Sequence, residues 1–479
     1  MYSRSRAIGP SHEGVITNPE LSTSGGSAAA TGLIQRRVGI GAALLGIALL
    51  AGLGLRLAPI LAADFPLRDG GLFVTMARDI RNADFGLPEF STFNAGNVPF
   101  AYPPLGLYIL ALIPGDPITT ERWLPLVWSM LAIPGIYLLA LEMSDEWHAG
   151  LATLIFAAMP VTWTIEGGGV TRALGLLLLL FALWRVAVLV RKPGMRNAGL
   201  AGTLAGLAIL AHPAVGPSAL VTSALLLAFS PSRRGLAFTA VAGVVGAAVI
   251  SPWLLMVISR YGPAALLAGG TAHHTEDTLG KLLIVGPSWI GPLDFVLPLA
   301  ILGLVVATQR RQWLIPAWLV LLVIVPGGDR YAAIAWAILA ATGFVFVGGA
   351  LRAAGALRLA AGVGFAWLFT GSLIAGYQQF PAIPLGLRTA MTKAGSETAP
   401  GARFAIVTGD GPHAWVLDWF PTLAGRTSIG TYQGLEWTTT EQWDATNALD
   451  DRIQQGEIPA NADFVFSVKG GSASIRPAR

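Results

Sequence analysis

The hydrophobic pattern of the chain is a succession of long apolar runs separated by short polar segments. The runs occupy about 38–62, 122–143, 148–163, 171–190, 197–212, 214–229, 236–258, 292–308, 312–326, 331–350 and 356–379. A helix crosses the hydrocarbon core of a bilayer in roughly 20 apolar residues. The pattern therefore predicts about eleven transmembrane helices, the shorter ones thin, tilted or broken. The run from Pro103 to Ile113 is too short to span and reads as a re-entrant or interfacial helix. Two flanks differ. Residues 1–37 are rich in Ser, Gly, Ala and Thr and lack an apolar period, which predicts a disordered tail. In residues 380–479 charged and polar positions return. There Phe404 to Thr408 and Phe464 to Val468 read as short buried strands, and Thr446 to Gln455 as a polar-faced helix. The expected fold is an all-α polytopic membrane protein with a small C-terminal α/β cap. A unit that small has a modest core, so it is expected to lean on the membrane part.

Composition narrows the picture. Of the 479 residues, 54% are hydrophobic and 12% charged, against about 25% charged in an ordinary soluble protein. That excludes a soluble enzyme, a disordered chain and a coiled coil. Cysteine is absent, so disulfides, thiolate nucleophiles and Cys-ligated metals are excluded. The net charge of +4 does not indicate nucleic acid, because the arginines stand in short pairs between apolar runs. With the N-terminus in the cytoplasm, Arg191, Lys192 and Arg196, then Arg233–Arg234, Arg310–Arg311, and Arg352 with Arg358 all fall inside. Only Ser144-Asp145-Glu146 breaks the positive-inside rule. The chain is then a multi-pass plasma-membrane protein. Its tail (1–37) is cytoplasmic, its transmembrane part covers 38–379 with a long first outer loop at 63–121, and residues 380–479 lie outside. The conspicuous polar residues also fall outside: Asp64, Asp69, Glu166, Arg172, His212, His273, His274, Asp329 and Arg330. Titratable groups on one face of a bundle mark a candidate site.

The first outer loop carries the sharpest pattern. From Arg68 to Ile80, Leu72, Phe73, Met76, Ala77 and Ile80 fall on one helical face and Thr75, Arg78 and Asp79 on the other. This is an interfacial amphipathic helix, with Asp69 just before it and Gly70–Gly71 at the turn. The plain alternative for Asp69 is a helix cap. A cytoplasmic anchor, this loop and helix, and Tyr102-Pro103-Pro104-Leu105 resemble the GT-C glycosyltransferases, which include the protein O-mannosyltransferases and the lipid A aminoarabinose transferases. The resemblance covers about 38–380 in architecture, and Asp69 to Ile80 with Tyr102 to Leu105 in motif. It implies a sugar donor on a polyprenyl phosphate, an acceptor hydroxyl on the outer face, and Asp69 as the catalytic carboxylate. Gly70 stands where a second acidic residue often occurs. No metal ligand is therefore assigned, and a divalent metal (Mg or Mn) stays an open cofactor. Asp64 is the candidate second carboxylate.

Sugar transfer needs a base at the acceptor hydroxyl and donors at the departing phosphate. Arg172, Arg330 and His212 are the candidate phosphate-binding residues. Lipid-headgroup anchoring is the alternative for the arginines, and an interhelix hydrogen bond for the histidine. Glu166, Tyr102 and Glu436 are acceptor or loop candidates. His273 and His274, beside Glu276 and Asp277, read first as an outer loop, then as a gate, and last as a metal site, because adjacent histidines lack the i,i+4 spacing of a helical zinc site. Asp418-Trp419-Phe420-Pro421 and Gly434-Leu435-Glu436-Trp437 suit either sugar stacking or a packed core. No Walker A, Rossmann or G-x-S-x-G pattern is present. The expected partners are a polyprenyl-phosphate sugar, the bilayer and an acceptor that is protein, lipid or polysaccharide. A secondary transporter and a catalytically inactive GT-C-like scaffold are the competing classes.

Overall fold

The computed structural model describes residues 24–96, 98–159, 164–271, 296–350, 354–379, 382–409, 413–469 and 471–479. His273, His274, Glu276 and Asp277 lie outside them. The helices are α1 (Ser24–Ala62), α2 (Gly71–Asn82), α3 (Leu105–Leu112), α4 (Pro117–Leu141), α5 (Glu146–Ala158) and α6 (Gly169–Arg191). They continue with α7 (Met195–Ala211), α8 (Val215–Phe229), α9 (Arg233–Tyr261), α10 (Pro263–Thr271), α11 (Val296–Gln309) and α12 (Leu314–Ile324). The series ends with α13 (Ala332–Ala350), α14 (Ala354–Gln379), α15 (Leu385–Glu397), α16 (His413–Ala424) and α17 (Thr440–Gln454).

Among the described residues, five segments are long and apolar enough to cross a membrane: Gly39–Ala62, Pro117–Leu141, Gly169–Arg191, Arg233–Tyr261 and Gly328–Gly349. The apolar helices α7, α8, α11 and α12 are shorter. The runs read from the sequence reappear as helices. The first helix starts at Ser24, ahead of the apolar run that opens at 38. Polar signals set several starts. Asp116 accepts from the Ile118 N–H at 3.3 Å with Pro117 behind it, and Asp145 accepts from the His148 N–H at 3.0 Å. Small residues let the helices close up. A Cβ on Gly303 of α11 would stand 1.8 Å from the Leu339 carbonyl of α13, the close backbone approach typical of membrane helix pairs.

The C-terminal segment holds a four-stranded sheet of β3 (Arg403–Val407), β4 (Thr427–Ser428), β5 (Phe464–Lys469) and β6 (Ser472–Pro477) in the order β4-β3-β5-β6. β3 runs parallel to β4 and β5, and β6 antiparallel to β5. Alternation splits its faces. Phe404, Ile406, Phe466 and Val468 pack with Leu387 and Met391 of α15 and with Trp419 and Phe420 of α16. Ala405 packs with Ile453 of α17 on the other face. Phe65 and Val74 of the first loop join the α15–α16 core, so this segment and the loop share one apolar interior. Helix α17 starts at Thr440, earlier than the expected Thr446, because Thr439 caps the Gln442 N–H at 3.2 Å. The first loop also forms a short hairpin, β1 (Phe90–Ser91) with β2 (Val98–Pro99). Asp79 holds it by accepting from the Ser91 hydroxyl at 2.7 Å and the Thr92 N–H at 2.9 Å.

Candidate active site

Asp69 ends the segment between α1 and α2. Its carboxylate turns away from α2 and toward the start of α6. Oδ1 accepts from the Gly168 N–H at 3.2 Å and Oδ2 from Arg172 Nη2 at 2.5 Å. The Asp69 side chain is 31% exposed and that of Arg172 16%, so the pair is reachable from outside. Arg172 also faces Glu166 Oε2 at 3.4 Å, and Glu166 Oε1 accepts from Arg68 Nη1 at 2.8 Å. The chain thus alternates carboxylate and guanidinium across Asp69, Arg172, Glu166 and Arg68. Burial pushes the Glu166 carboxyl up, against the Arg172 charge that stabilises its anion.

The run Gly167–Gly169 allows this contact. A Cβ on Gly167 would stand 2.0 Å from the Asp69 carbonyl, and one on Gly168 1.9 Å from Arg172 Nη2. Gly70 has φ +145°, and a Cβ there would meet the Glu121 carboxyl oxygens at 2.5 and 2.7 Å. A second acidic residue at position 70 therefore has no room. Glu121 of α4 fills that space with a carboxyl that is 1% exposed and has no hydrogen-bond partner among the described residues.

Tyr102 gathers the other candidates. Its hydroxyl meets Thr171 Oγ1 at 3.1 Å, one residue before Arg172. Its ring lies edge-on to His212 at 6.4 Å, to Trp437 at 5.6 Å and to Phe73 of α2 at 5.2 Å. Burial pushes the phenol up to about 12, and the charges of Arg172, Glu436 and Arg330 act on it. Arg330 sits in the 3-10 turn Gly328–Tyr331, half-buried, with no ion pair among the described residues. His212 closes α7 in extended geometry and is buried. Glu436 sits in the turn Leu435–Trp437, and burial pushes its carboxyl up to about 7.

Asp64 does not join Asp69. Both its oxygens accept from Arg388 Nη2 of α15 at 2.6 Å, and this bonding holds the carboxyl below its ordinary range. Trp419, Phe420 and Trp437 are buried core residues, which selects the packing reading over exposed sugar stacking. The sequence does not single out Glu121, and it marks Asp418 only as the carboxylate of an aromatic motif. Asp418 Oδ2 accepts from the Gly70 and Gly71 N–H groups, each at 2.7 Å, and Oδ1 from that of Leu72 at 3.2 Å. The cap of α2 is thus Asp418, some 350 residues onward, and not Asp69. The Asp418 pattern had flagged an aromatic neighbourhood, but no local signal points to this bond.

Among the described residues, no three Asp, Glu, His or Cys side chains are grouped to hold a metal ion. Asp69 and Glu166, which face one another, are both bound by arginines. This donor set does not fit a divalent metal.

No protein-family model matches the chain, and no curated protein matches it. Solved structures do. One is the archaeal oligosaccharyltransferase AglB from Archaeoglobus fulgidus in complex with an inhibitory peptide and a dolichol-phosphate: 13% identity, TM-score 0.59, covering 89% of this chain and 69% of that one. Another is the Archaeoglobus fulgidus oligosaccharyltransferase complex with Zn and sulfate: 14% identity, TM-score 0.56, covering 88% and 67%. A third is ArnT from Cupriavidus metallidurans bound to undecaprenyl phosphate: 14% identity, TM-score 0.53, covering 88% and 89%. The chain shares the overall fold of these solved structures.

Proposed function

We propose that the chain is a membrane glycosyltransferase that moves a hexosyl or pentosyl unit from a polyprenyl-phosphate donor to an acceptor hydroxyl on the extracytoplasmic face. The observation that carries this reading is the Asp69–Arg172 pair. A partly exposed carboxylate stands 2.5 Å from a guanidinium at the head of a loop helix, in a fold shared with structures that contain dolichol-phosphate and undecaprenyl phosphate. The positive-inside pattern of the loops supports the outer placement of the site.

The geometry suggests the order of events. Without substrate, Arg172 pairs with Asp69 and faces Glu166, which Arg68 also binds. A donor phosphate competes for Arg172 with more negative charge than one carboxylate, and Arg330 offers a second guanidinium. As Arg172 turns to phosphate, the Asp69 carboxylate is released to face the acceptor hydroxyl. It takes the proton of the acceptor hydroxyl while the hydroxyl oxygen attacks the anomeric carbon. The bond from that carbon to the phosphate oxygen breaks, and the phosphate leaves with the electron pair toward Arg172 and Arg330. Glu166 keeps Arg172 near the site, and Tyr102, edge-on to His212, is bonded to Thr171 one residue before Arg172.

The test compares glycolipids and glycoproteins by mass spectrometry in cells with and without the chain. A sugar product should vanish on deletion, return with the wild type and stay absent with Asp69→Asn at normal protein level. Full product from Asp69→Asn would remove Asp69 as the base.

A further inference from the structure

We propose that Asp418 of α16 is a positioning residue of the site: it caps α2 in place of Asp69, leaving the Asp69 carboxylate free to face Arg172. The inference rests on the reading of Asp69 as the base.

A helix N-terminus presents N–H groups without intrahelical partners, and the residue beside it ordinarily supplies the acceptor. Here the N-cap position is Gly70, which has no side chain to offer. Asp69 is the adjacent carboxylate, yet it bonds to the Gly168 N–H and to Arg172. The open donors of Gly70, Gly71 and Leu72 go instead to Asp418.

The attachment is wider than one carboxylate. Trp419 Nε1 donates to the Arg68 carbonyl at 2.8 Å, and Thr422 Oγ1 to the Gly71 carbonyl at 2.7 Å. A Cβ on Gly71 would stand 2.3 Å from the Asp418 carbonyl. One turn of α16 therefore fixes residues 68–72 on both sides of Asp69. A displacement of about 1 Å at a reacting group is enough to lower turnover about a hundredfold.

The titratable groups facing Asp418 are Asp69, Glu121 of α4, Tyr432 and Glu436. Burial and the Asp69 charge push the Asp418 carboxyl up to about 7, and the three N–H bonds pull the other way. The charged cap therefore forms as pH rises through neutrality, which gives positioning a signature that plain structural support lacks.

The experiment uses the full chain in lipid nanodiscs and in deletion cells. Asp418→Asn keeps the shape and removes the charge. Between pH 6 and 8, hydrogen exchange at Gly70–Leu72, corrected for intrinsic rates, should gain protection in the wild type and stay flat in the variant. Product in cells should fall about 10- to 100-fold, with the affinity for undecaprenyl phosphate held and the melting temperature no lower than that of the wild type. Wild-type product from Asp418→Asn, or protection at 70–72 independent of the substitution, overturns the proposal. So does a fall in melting temperature large enough to account for the lost product. Where Asp418→Ala does not fold, the Asn variant decides. Normal product from Asp69→Asn would instead remove Asp69 as the base, and the exchange measurement would still report on the cap.

Discussion

At the scale of single residues, the site turns on where a side chain is missing. Gly168 has no Cβ, and so the Arg172 guanidinium folds back over it to reach Asp69. Gly168→Ala would place a methyl 1.9 Å from Nη2. The obstructed atom is the end of a flexible side chain, so the fold should change by less than about 1 kcal/mol. The pair should open nonetheless, and sugar product in complemented cells should drop about tenfold while the melting temperature holds. An unchanged product level would show that the pair is incidental. Asp69 stood out in the sequence because it precedes an amphipathic helix, and Arg172 because it opens a span. The bond between them could not be read, because it crosses from the first loop to α6. Asp418 was less legible still. Its partners are backbone N–H groups, which carry no sequence signature, 346 to 348 positions away.

At the scale of elements, a helix that ends inside an apolar bundle needs partners for its last carbonyls. Helix α5 stops at Ala158, and its last carbonyls are met from neighbouring helices. Arg56 Nη1 of α1 donates to the Ala157 carbonyl at 2.7 Å, and Ser372 Oγ of α14 donates to that of Ala158. Arg56 is buried within the span of α1, and this bond accounts for a cation there. Arg56→Met should fill similar space yet leave the Ala157 carbonyl unmet, lowering stability by about 1–3 kcal/mol. Thermal unfolding of the purified variant tests this, and an unchanged midpoint would assign the capping elsewhere. The membrane helices were legible because length and continuous apolarity are local properties. The amphipathic helices α15 and α16 and the strands β4 and β6 were not. Helices α15 and α16 and strand β6 pack on the core shared with Phe65 and Val74, which no window of sequence contains, and β4 is only two residues long.

At the scale of the whole molecule, buried acids give stability a direction with pH. In the folded chain Asp418 and Glu436 are each pushed up to about 7, from 3.8 and 4.5. A carboxyl that binds its proton more tightly when folded contributes fully at pH below its unfolded value. That contribution is lost as pH rises through about 7. Glu166 shifts in the same direction, whereas Asp64 shifts the other way and is largely exposed. The melting temperature should therefore fall between pH 5 and 8 at constant salt, less steeply in Asp418→Asn. A midpoint rising over that range would contradict the burial argument. Under the proposed positioning role of Asp418, product should rise over the same interval as its charged cap forms. The Asp418 clasp also bears on biogenesis. A ribosome adds about 5–20 residues per second, so the first loop emerges on the order of half a minute before α16. Throughout that interval the helix beside Asp69 lacks its cap. A translation product cut short before α16 is therefore left with the Gly70, Gly71 and Leu72 N–H groups unmet by Asp418.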